Sequence, residues 1–179
     1  MSGHSHWRSI KHKKGTTDIK RGKIFSKISR LISIAAKEKG GDPESNPKLR
    51  TIIDKAHSFN MPKDNIERAI KRGTGQIEGE QIEEITYEAY GPSGIALIIE
   101  IITDNRNRTI AEIKHILNKF GGKLAEAGSV KYMFDRKGEE WLPKYPMEIT
   151  DKKTQAQLEK LFEALDDNDD VQEIYSNIK

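Results

Sequence analysis

Apolar positions in the first part of the chain recur with the spacing of an α-helix. In residues 18–39 they fall at Ile24, Ile28, Leu31 and Ala35, which is i, i+4, i+7 and i+11. One face of such a helix is apolar and the rest is polar. The spacing therefore predicts an amphipathic helix over this range.

Proline and glycine divide the following residues into two more helices. Asn46-Pro47 and Met61-Pro62 are helix-start signals, because a proline at the first helical position loses no hydrogen bond. Gly40-Gly41 and Gly73 are placed to end helices. We therefore predict a unit of three helices, over residues 18–39, 46–59 and 61–73.

From residue 85 onward the pattern is that of a sheet with helices. Residues 85–90 alternate, and residues 95–102 are almost continuously apolar and branched, which predicts a strand buried on both faces. Further strands are predicted at 130–134, 141–149 and 171–175, and further helices at 110–120 and 151–165. From residue 95 the order is β-α-β-β-α-β, which is ferredoxin-like, with the strand at 85–90 as an added element.

The predicted fold class is therefore α+β, with an N-terminal three-helix bundle followed by a ferredoxin-like domain. Residues 73–82 are polar and rich in glycine, which is typical of a domain boundary. We place the first domain, with its basic arm, at residues 1–78 and the second at residues 79–179.

The composition argues against several classes of function. The 179 residues include no cysteine, which removes disulfides, thiol catalysis and Cys-ligated zinc. No apolar run approaches the ~20 residues of a transmembrane helix, and we expect a cytoplasmic protein. The sequence has no glycine-rich loop ending in Gly-Lys-Ser/Thr, and the acidic turn 166–170 is interpreted as solvated. We predict no enzyme activity and no cofactor.

Charge is distributed unevenly along the chain. The first thirty residues hold nine Lys and Arg against the single acid Asp18. Residues 1–80 carry a net charge of +9, whereas residues 81–179 carry −6. Lys and Arg neutralise phosphates and release counterions, which supplies most of the affinity for a nucleic acid. A polyanion is therefore the expected partner of residues 1–80, the basic front. Residues 81–179, the acidic back, are expected to stay in solvent or to contact a different partner.

The basic arm is the first candidate for nucleic-acid contacts. Its cations are interleaved with histidines and one tryptophan, whose indole either stacks on an unpaired base or packs back onto the bundle. A metal site is not predicted, because a glycine-rich arm with one carboxylate is a poor preformed site. The candidate residues are His4, His6, Trp7, Arg8, Lys11, His12, Lys13, Lys14, Lys20, Arg21 and Lys23.

Two further groups extend this prediction. The third helix carries Lys63, Arg68, Lys71 and Arg72, although the last two also offset the helix dipole. Arg106 and Arg108 lie in the turn 103–109, near the N-terminus of a predicted helix. Cations are unfavourable to the dipole there, so we interpret both arginines as phosphate ligands.

Several motifs spread over the whole chain resemble those of one family. They are M-S-G-H-S-H-W-R-S-I-K-H-K-K-G, D-I-K-R-G-K-I-F-S-K, G-G-D-P-E-S-N-P-K-L-R, N-M-P-K-D-N-I-E-R-A-I, Y-E-A-Y-G-P-S-G, T-D-N-R-N-R-T and D-D-V-Q-E-I-Y. Together they resemble the YebC/PmpR family, which includes bacterial proteins named as probable transcriptional regulators and the mitochondrial translational activator of cytochrome c oxidase. The resemblance implies a nucleic-acid-binding regulator of gene expression without catalytic activity.

The chain departs from the family pattern at one place. Family members usually carry a third, α/β domain inserted in the second. Here the sequence passes from V-K-Y-M-F to W-L-P-K-Y-P-M-E-I through a few residues only. We predict that the insertion is missing near residues 137–141, which puts any function of that domain in question for this chain.

Three functions remain open on these observations. The slightly favoured one is an RNA-binding protein associated with ribosomal RNA or a translated mRNA, because a flexible arm with Trp, Gly and His suits irregular RNA surfaces. The alternative is a DNA-binding transcriptional regulator, for which Asn65 and Arg68 are the only base-reading pair on the third helix. A protein-protein adaptor would explain the acidic back but not the arm. The sequence does not define the oligomeric state, and a monomer is the expectation.

Overall fold

The structure is a computed structural model that describes the backbone of residues 18–20 and the whole of residues 21–78 and 81–179. The described residues form two compact units. The helical unit comprises residues 18–78 and 81–85 together with 102–106, and the sheet unit comprises residues 86–101 and 107–179. The predicted domain boundary between residues 78 and 79 stays a prediction. Among the described residues, none of the helices combines the length and the apolar character needed to cross a bilayer.

Three helices make up most of the helical unit. They are α1 (Asp18–Lys39), α2 (Pro47–Ser58) and α3 (Lys63–Gly73). All three predicted helices are therefore confirmed. Gly40, with a φ of +92°, follows α1, as the glycine signal predicts.

Asn46 joins the end of α1 to the start of α2. Its side chain is buried, and its Oδ1 accepts a hydrogen bond from the Leu49 backbone N–H at 3.1 Å, which caps α2. Its Nδ2 donates to the carbonyl oxygens of Ala35 at 2.9 Å and Gly40 at 2.8 Å. One amide therefore satisfies an N-terminal donor of α2 and carbonyl groups at the C-terminal end of α1.

Helices α1 and α3 pack closely over a shared apolar core. The Ser33 hydroxyl of α1 donates to the Ala69 carbonyl of α3 at 2.7 Å, and Ala36 lies against Gly73. Because residue numbers increase together along this contact, the two helices run in the same direction. Gly73 is buried in the last turn of α3, and the positive φ falls at Gly75 instead. The glycine predicted to end the helix is therefore required for close packing.

The sheet begins with β1 (Glu83–Tyr90) and β2 (Ala96–Thr103), which a short turn connects. Helix α4 (Arg106–Lys119) and the two-residue strand β3 (Lys123–Leu124) follow. The remaining elements are β4 (Phe134–Lys137), β5 (Glu140–Pro143), α5 (Lys152–Asp167) and β6 (Val171–Ser176). The strand order in the four-stranded sheet is β3-β1-β2-β6.

Strand β2 is the centre of the sheet unit. It pairs antiparallel with β6, from Leu97 opposite Ser176 to Ile101 opposite Val171. Leu97, Ile99 and Ile101 pack with apolar residues of α4 and α5 on one face. Ala96 and Ile98 pack with Val130, Phe134 and Tyr175 on the other. The prediction of a strand buried on both faces is confirmed.

The α+β class, with helices first and an antiparallel sheet with helices after them, is confirmed, and the structure corrects the strands within it. Residues 83–90 are an inner strand and not an added element, because β1 lies between β3 and β2. Residues 130–134 and 141–149 do not join this sheet. Instead, β4 and β5 pair with each other as a separate hairpin, and Lys131–Met133 forms a 3-10 turn.

A buried carboxylate accounts for the loop that replaces the start of the predicted strand at residues 130–134. Glu88 of β1 accepts the backbone N–H groups of Gly128, Val130 and Lys131, at 2.6, 2.7 and 2.8 Å. These donors bond to a side chain and are not available for a strand ladder. The chain at residues 128–131 is therefore held as a loop on the sheet.

Candidate nucleic-acid interface

Most of the predicted basic arm lies outside the described residues. This applies to His4, His6, Trp7, Arg8, Lys11, His12, Lys13 and Lys14. Lys20 lies in α1, where only its backbone is described. Their contacts with a nucleic acid stay predictions.

The described part of the interface begins on the first turns of α1. Arg21 is exposed and Lys23 is half-buried, whereas the buried apolar stripe of this helix starts at Ile28. The N-terminal end of α1 is therefore polar and basic on its surface.

Helix α3 carries a basic outward face. Ile66, Ala69 and Gly73 are buried and define its inner face. Arg68, Lys71 and Arg72 follow one another at i, i+3 and i+4, which brings them together on the side that faces away from this core. Arg68 and Lys71 are exposed and Arg72 is half-buried.

Lys63 lies at the other end of α3. Its Nζ is 3.6 Å from Glu67 Oε1, and the lysine side chain is 83% exposed. An exposed pair of this kind is worth about 0–1 kcal/mol, so it leaves the ammonium available to an anion. Since α1 and α3 run in the same direction, Lys63 lies towards the N-terminal half of α1, whereas Lys71 and Arg72 lie at the level of its C-terminal half.

A small recess adds one cation that sequence reasoning missed. Lys37 and Arg72 both line it, together with Gly73, Gly75, Gln81 and Ile82, and its volume is about 250 Å³. The Lys37 Nζ donates to the Ile82 carbonyl oxygen at 2.7 Å. No local sequence signal indicates this arrangement, because residues 37 and 82 are far apart in the chain.

Arg106 and Arg108 differ in their surroundings. Helix α4 begins at Arg106, four residues before the prediction, so both arginines lie in its first turn. The Arg106 side chain is 60% exposed, and its Nη2 is 3.5 Å from Glu83 Oε2. It is an open surface cation with a weak partner.

Arg108, in contrast, contacts a buried acid. Its Nη2 is 2.8 Å from Asp170 Oδ2, and the Asp170 side chain is only 3% exposed. The same oxygen accepts the Thr109 hydroxyl at 2.7 Å, and Glu112 Oε1 lies 3.8 Å from Arg108 Nε. These acids offset the unfavourable helix dipole. The interpretation of the acidic turn as solvated is therefore corrected at Asp170. The binding of a phosphate by Arg108 stays a prediction, and a phosphate would have to compete with Asp170 for the guanidinium group.

This difference predicts opposite outcomes for two matched variants. Arg108→Gln is expected to lower the free energy of unfolding by about 1–2 kcal/mol, because the buried Asp170 carboxylate loses a cationic donor. Arg106→Gln is expected to change it by less than about 0.5 kcal/mol. Urea denaturation followed by circular dichroism measures the free energy of unfolding of both variants. Equal changes in the two would contradict a structural role for Arg108.

The fold first defines the structural class, an α+β protein with a helical unit and an antiparallel sheet unit. The same fold is present in the crystal structure of a conserved hypothetical protein, Aq1575, from Aquifex aeolicus. The two chains superpose with a TM-score of 0.89 at 36% sequence identity, over 97% of this chain and 96% of the other.

The sequence then identifies the family. Residues 5–76 match the TACO1/YebC protein N-terminal domain, and residues 82–140 and 138–178 match the TACO1/YebC second and third domain. The chain belongs to the TACO1/YebC family, as its motifs indicate.

Two relatives illustrate the relationship. A probable transcriptional regulatory protein of Petrotoga mobilis is 54% identical over 174 residues, which are 97% of this chain and 69% of that protein. One from Halothermothrix orenii is 42% identical over 239 residues, covering 99% of this chain and 94% of the relative. These names support a regulatory role. The second alignment is longer than this chain, so that relative has residues which this chain lacks.

Proposed function

We propose that this protein is a nucleic-acid-binding regulator of gene expression that binds RNA, in association with the ribosome, and supports translation. The observation that carries the proposal is the placement of charge. Exposed cations lie on all three helices of the helical unit, among them Arg21 of α1, Lys48, Arg50 and Lys55 of α2, and Arg68 and Lys71 of α3. The arm that precedes α1 adds Arg8, Lys11, Lys13 and Lys14. Residues 81–179, in contrast, have a net charge of −6.

The outward face of α3 favours contacts with phosphates over the reading of bases. Arg68, Lys71 and Arg72 supply cations, but Asp64 and Glu67 are exposed on the same short helix. Phosphate contacts position a protein on a nucleic acid, whereas base contacts give sequence specificity. Asn65 and Arg68 are the only pair of side chains on α3 suited to reading base edges, which is few for a recognition helix. A positioning surface for structured RNA is the better match.

One observation favours the alternative, a DNA-binding transcriptional regulator. Helices α2 and α3 are separated by residues 59–62 only, and Asn60 has a φ of +57° in this turn. A short turn between two helices is a feature of helix-turn-helix proteins. In that function, Asn65 and Arg68 would be the base-reading residues of α3.

Ribosome sedimentation at several salt concentrations tests the proposal. The variant replaces Arg8, Lys11, Lys13 and Lys14 by alanine. If each residue contacts a phosphate, the slope of log K against log salt falls by roughly 3, at about 0.7–0.9 per contact. A matched control removes four exposed lysines of the sheet unit, Lys114, Lys152, Lys153 and Lys160, and is expected to leave the slope unchanged.

The two functions give different results in this assay. Salt-sensitive, arm-dependent sedimentation with ribosomes supports the RNA function. An absence of ribosome association, together with a DNA site bound at least ~1,000-fold above random duplex, would replace it by transcriptional regulation. An equal loss of slope in the arm variant and the control would assign the binding to net charge and contradict a role for the arm.

A further inference from the structure

A recess in the sheet unit is lined by none of the basic residues discussed above. It is formed by the turn between β1 and β2 and by the turn between α4 and β3, and its volume is about 400 Å³. Small-ligand sites have volumes of about 300–1,000 Å³, so the recess can hold a group as large as a nucleotide. Four glycines line it, together with Tyr90, Ser93 and Lys123. We call it the glycine recess.

Three of its glycines are required, Gly122 by the approach of the two turns, and Gly94 and Gly121 by their backbone conformation. A Cβ on Gly122 would lie 2.6 Å from the Tyr90 carbonyl oxygen and 3.4 Å from the Gly91 Cα. The turns therefore meet backbone against backbone at Gly122. Gly94 and Gly121 have φ values of +74° and +77°, which other residues rarely adopt. A ligand can approach the main chain closely here.

Ser93 has an unusual conformation at the edge of the recess. Its φ is +60°, although it is not a glycine, and its side chain is exposed. Hydrogen bonds from the Gly91 N–H to the Ile95 carbonyl at 2.8 Å and from the Gly94 N–H to the Gly91 carbonyl at 3.1 Å hold the turn in this form. Left-handed backbone at a non-glycine residue costs about 1–3 kcal/mol and clusters at binding sites.

Lys123 and Tyr90 complete the lining. The Lys123 Nζ lies 6.0 Å from the centroid of the Tyr90 ring, and Lys123 is exposed. In the part of the chain that the structure describes, Lys123 forms no ion pair with a carboxylate. The Tyr90 hydroxyl donates to the Ser129 carbonyl at 3.3 Å, which fixes the ring. An available ammonium beside a fixed ring favours a ligand with both a phosphate and a planar base.

We propose that the glycine recess binds a nucleotide segment of single-stranded RNA, with the phosphate on Lys123 and the Ser93 hydroxyl and a base against Tyr90. The spacing Gly91-Pro92-Ser93-Gly94 is G-x-x-G, and turns with this spacing clamp nucleotide backbones in other RNA-binding modules. The choice of RNA rests on the proposed function. The recess would add a second RNA contact, on the sheet unit. The net negative charge of residues 81–179 does not by itself predict such a contact.

The test measures binding of hexa-adenylate RNA to the full chain that carries the four arm substitutions, so that the arm does not mask the recess. Lys123→Gln is expected to weaken binding about 5–10-fold and to lower the salt slope by about 0.7. Lys119→Gln is the matched control. Lys119 is also exposed, and its Nζ lies 5.5 Å from the Phe120 ring, but it does not line the recess. We expect a change of less than about 2-fold there, since a single exposed cation outside the site loses no phosphate contact.

Amide chemical shifts in NMR spectra give a readout that locates the ligand. With hexa-adenylate, the largest shifts are expected at residues 91, 93–94 and 121–123. Shifts elsewhere only, or equal losses in Lys123→Gln and Lys119→Gln, would overturn the proposal. Equal shifts with inorganic phosphate or adenosine monophosphate at the same concentration would assign the recess to a free phosphate or nucleotide and overturn the RNA assignment. Because ribosome sedimentation of the unmodified chain is measured separately, failure of the recess and failure of the proposed function are distinguishable.

Discussion

Replacing Gly73 by alanine is expected to lower the free energy of unfolding of the helical unit by about 3 kcal/mol. A Cβ at this position would overlap the Ser33 carbonyl oxygen and lie 2.9 Å from the Ala36 Cβ. Both obstacles belong to α1, and one of them is backbone, so neither can turn aside. Helices α1 and α3 would have to separate, and the 2.7 Å hydrogen bond from Ser33 to the Ala69 carbonyl would lengthen.

The sign of this effect separates packing from helix propensity. Propensity alone favours alanine over glycine by about 1 kcal/mol inside a helix. Gly22→Ala in α1 is the control, because a Cβ there would meet no atom within 4 Å. It is expected to stabilise the unit by about 0.5–1 kcal/mol. Urea denaturation of both variants measures the difference, and stabilisation by Gly73→Ala would show that α1 and α3 are not in close contact.

Features that depend on residues close in sequence could be predicted from the sequence. Asn46-Pro47 marks the start of α2, and the structure shows the Asn46 side chain as the cap of that helix. The apolar run 95–102 predicts a doubly buried strand, because branched residues on both faces need cover on both sides. The cations Arg68, Lys71 and Arg72 could be placed on one face from their spacing alone.

Features that depend on distant residues could not be predicted. Asp170 and Arg108 are 62 residues apart, and nothing in the acidic turn indicates that one of its carboxylates is buried against α4. Lys37 reaches the Ile82 carbonyl across 45 residues. Such contacts are set by the packing of whole elements, for which a single sequence has no local signal.

The candidate site shows the same division. Its cations could be predicted, because charge density is a property of composition. The glycine recess could not, because its two turns meet only through the pairing of β1 with β3, where Tyr90 lies opposite Lys123. Strand β3 has two residues, too few for a pattern of alternation to predict it.

Replacing Glu88 by glutamine is expected to lower the free energy of unfolding of the sheet unit by about 3 kcal/mol at neutral pH. Glu88 is 4% exposed and its carboxylate accepts three backbone N–H groups, and hydrogen bonds to a charged group are each worth about 1.5–3 kcal/mol. Glutamine keeps one acceptor oxygen, but its NH₂ group would face an N–H donor. At least one buried donor in residues 128–131 would lose its partner.

The effect of this substitution should depend on pH. Burial on its own raises the pKa of Glu88, but the hydrogen bonds from Gly128, Lys131 and Val130 outweigh it, and the pKa lies below its ordinary value of 4.5. A lowered pKa in the folded state contributes stability that is present above the unfolded-state pKa and is lost as pH falls through the folded-state pKa. The difference between the natural chain and Glu88→Gln should therefore be full at pH 7 and shrink towards pH 3.

Glu126→Gln is the matched control, because Glu126 is an exposed carboxylate next to the same loop. It removes the same charge without touching the three N–H groups, and a change below about 0.5 kcal/mol is expected at every pH. Thermal or urea unfolding from pH 7 to pH 3 separates the two. A loss in Glu88→Gln that is independent of pH would mean that the charge does not hold residues 128–131. In that case the explanation for why they leave the sheet and form a loop would also fail.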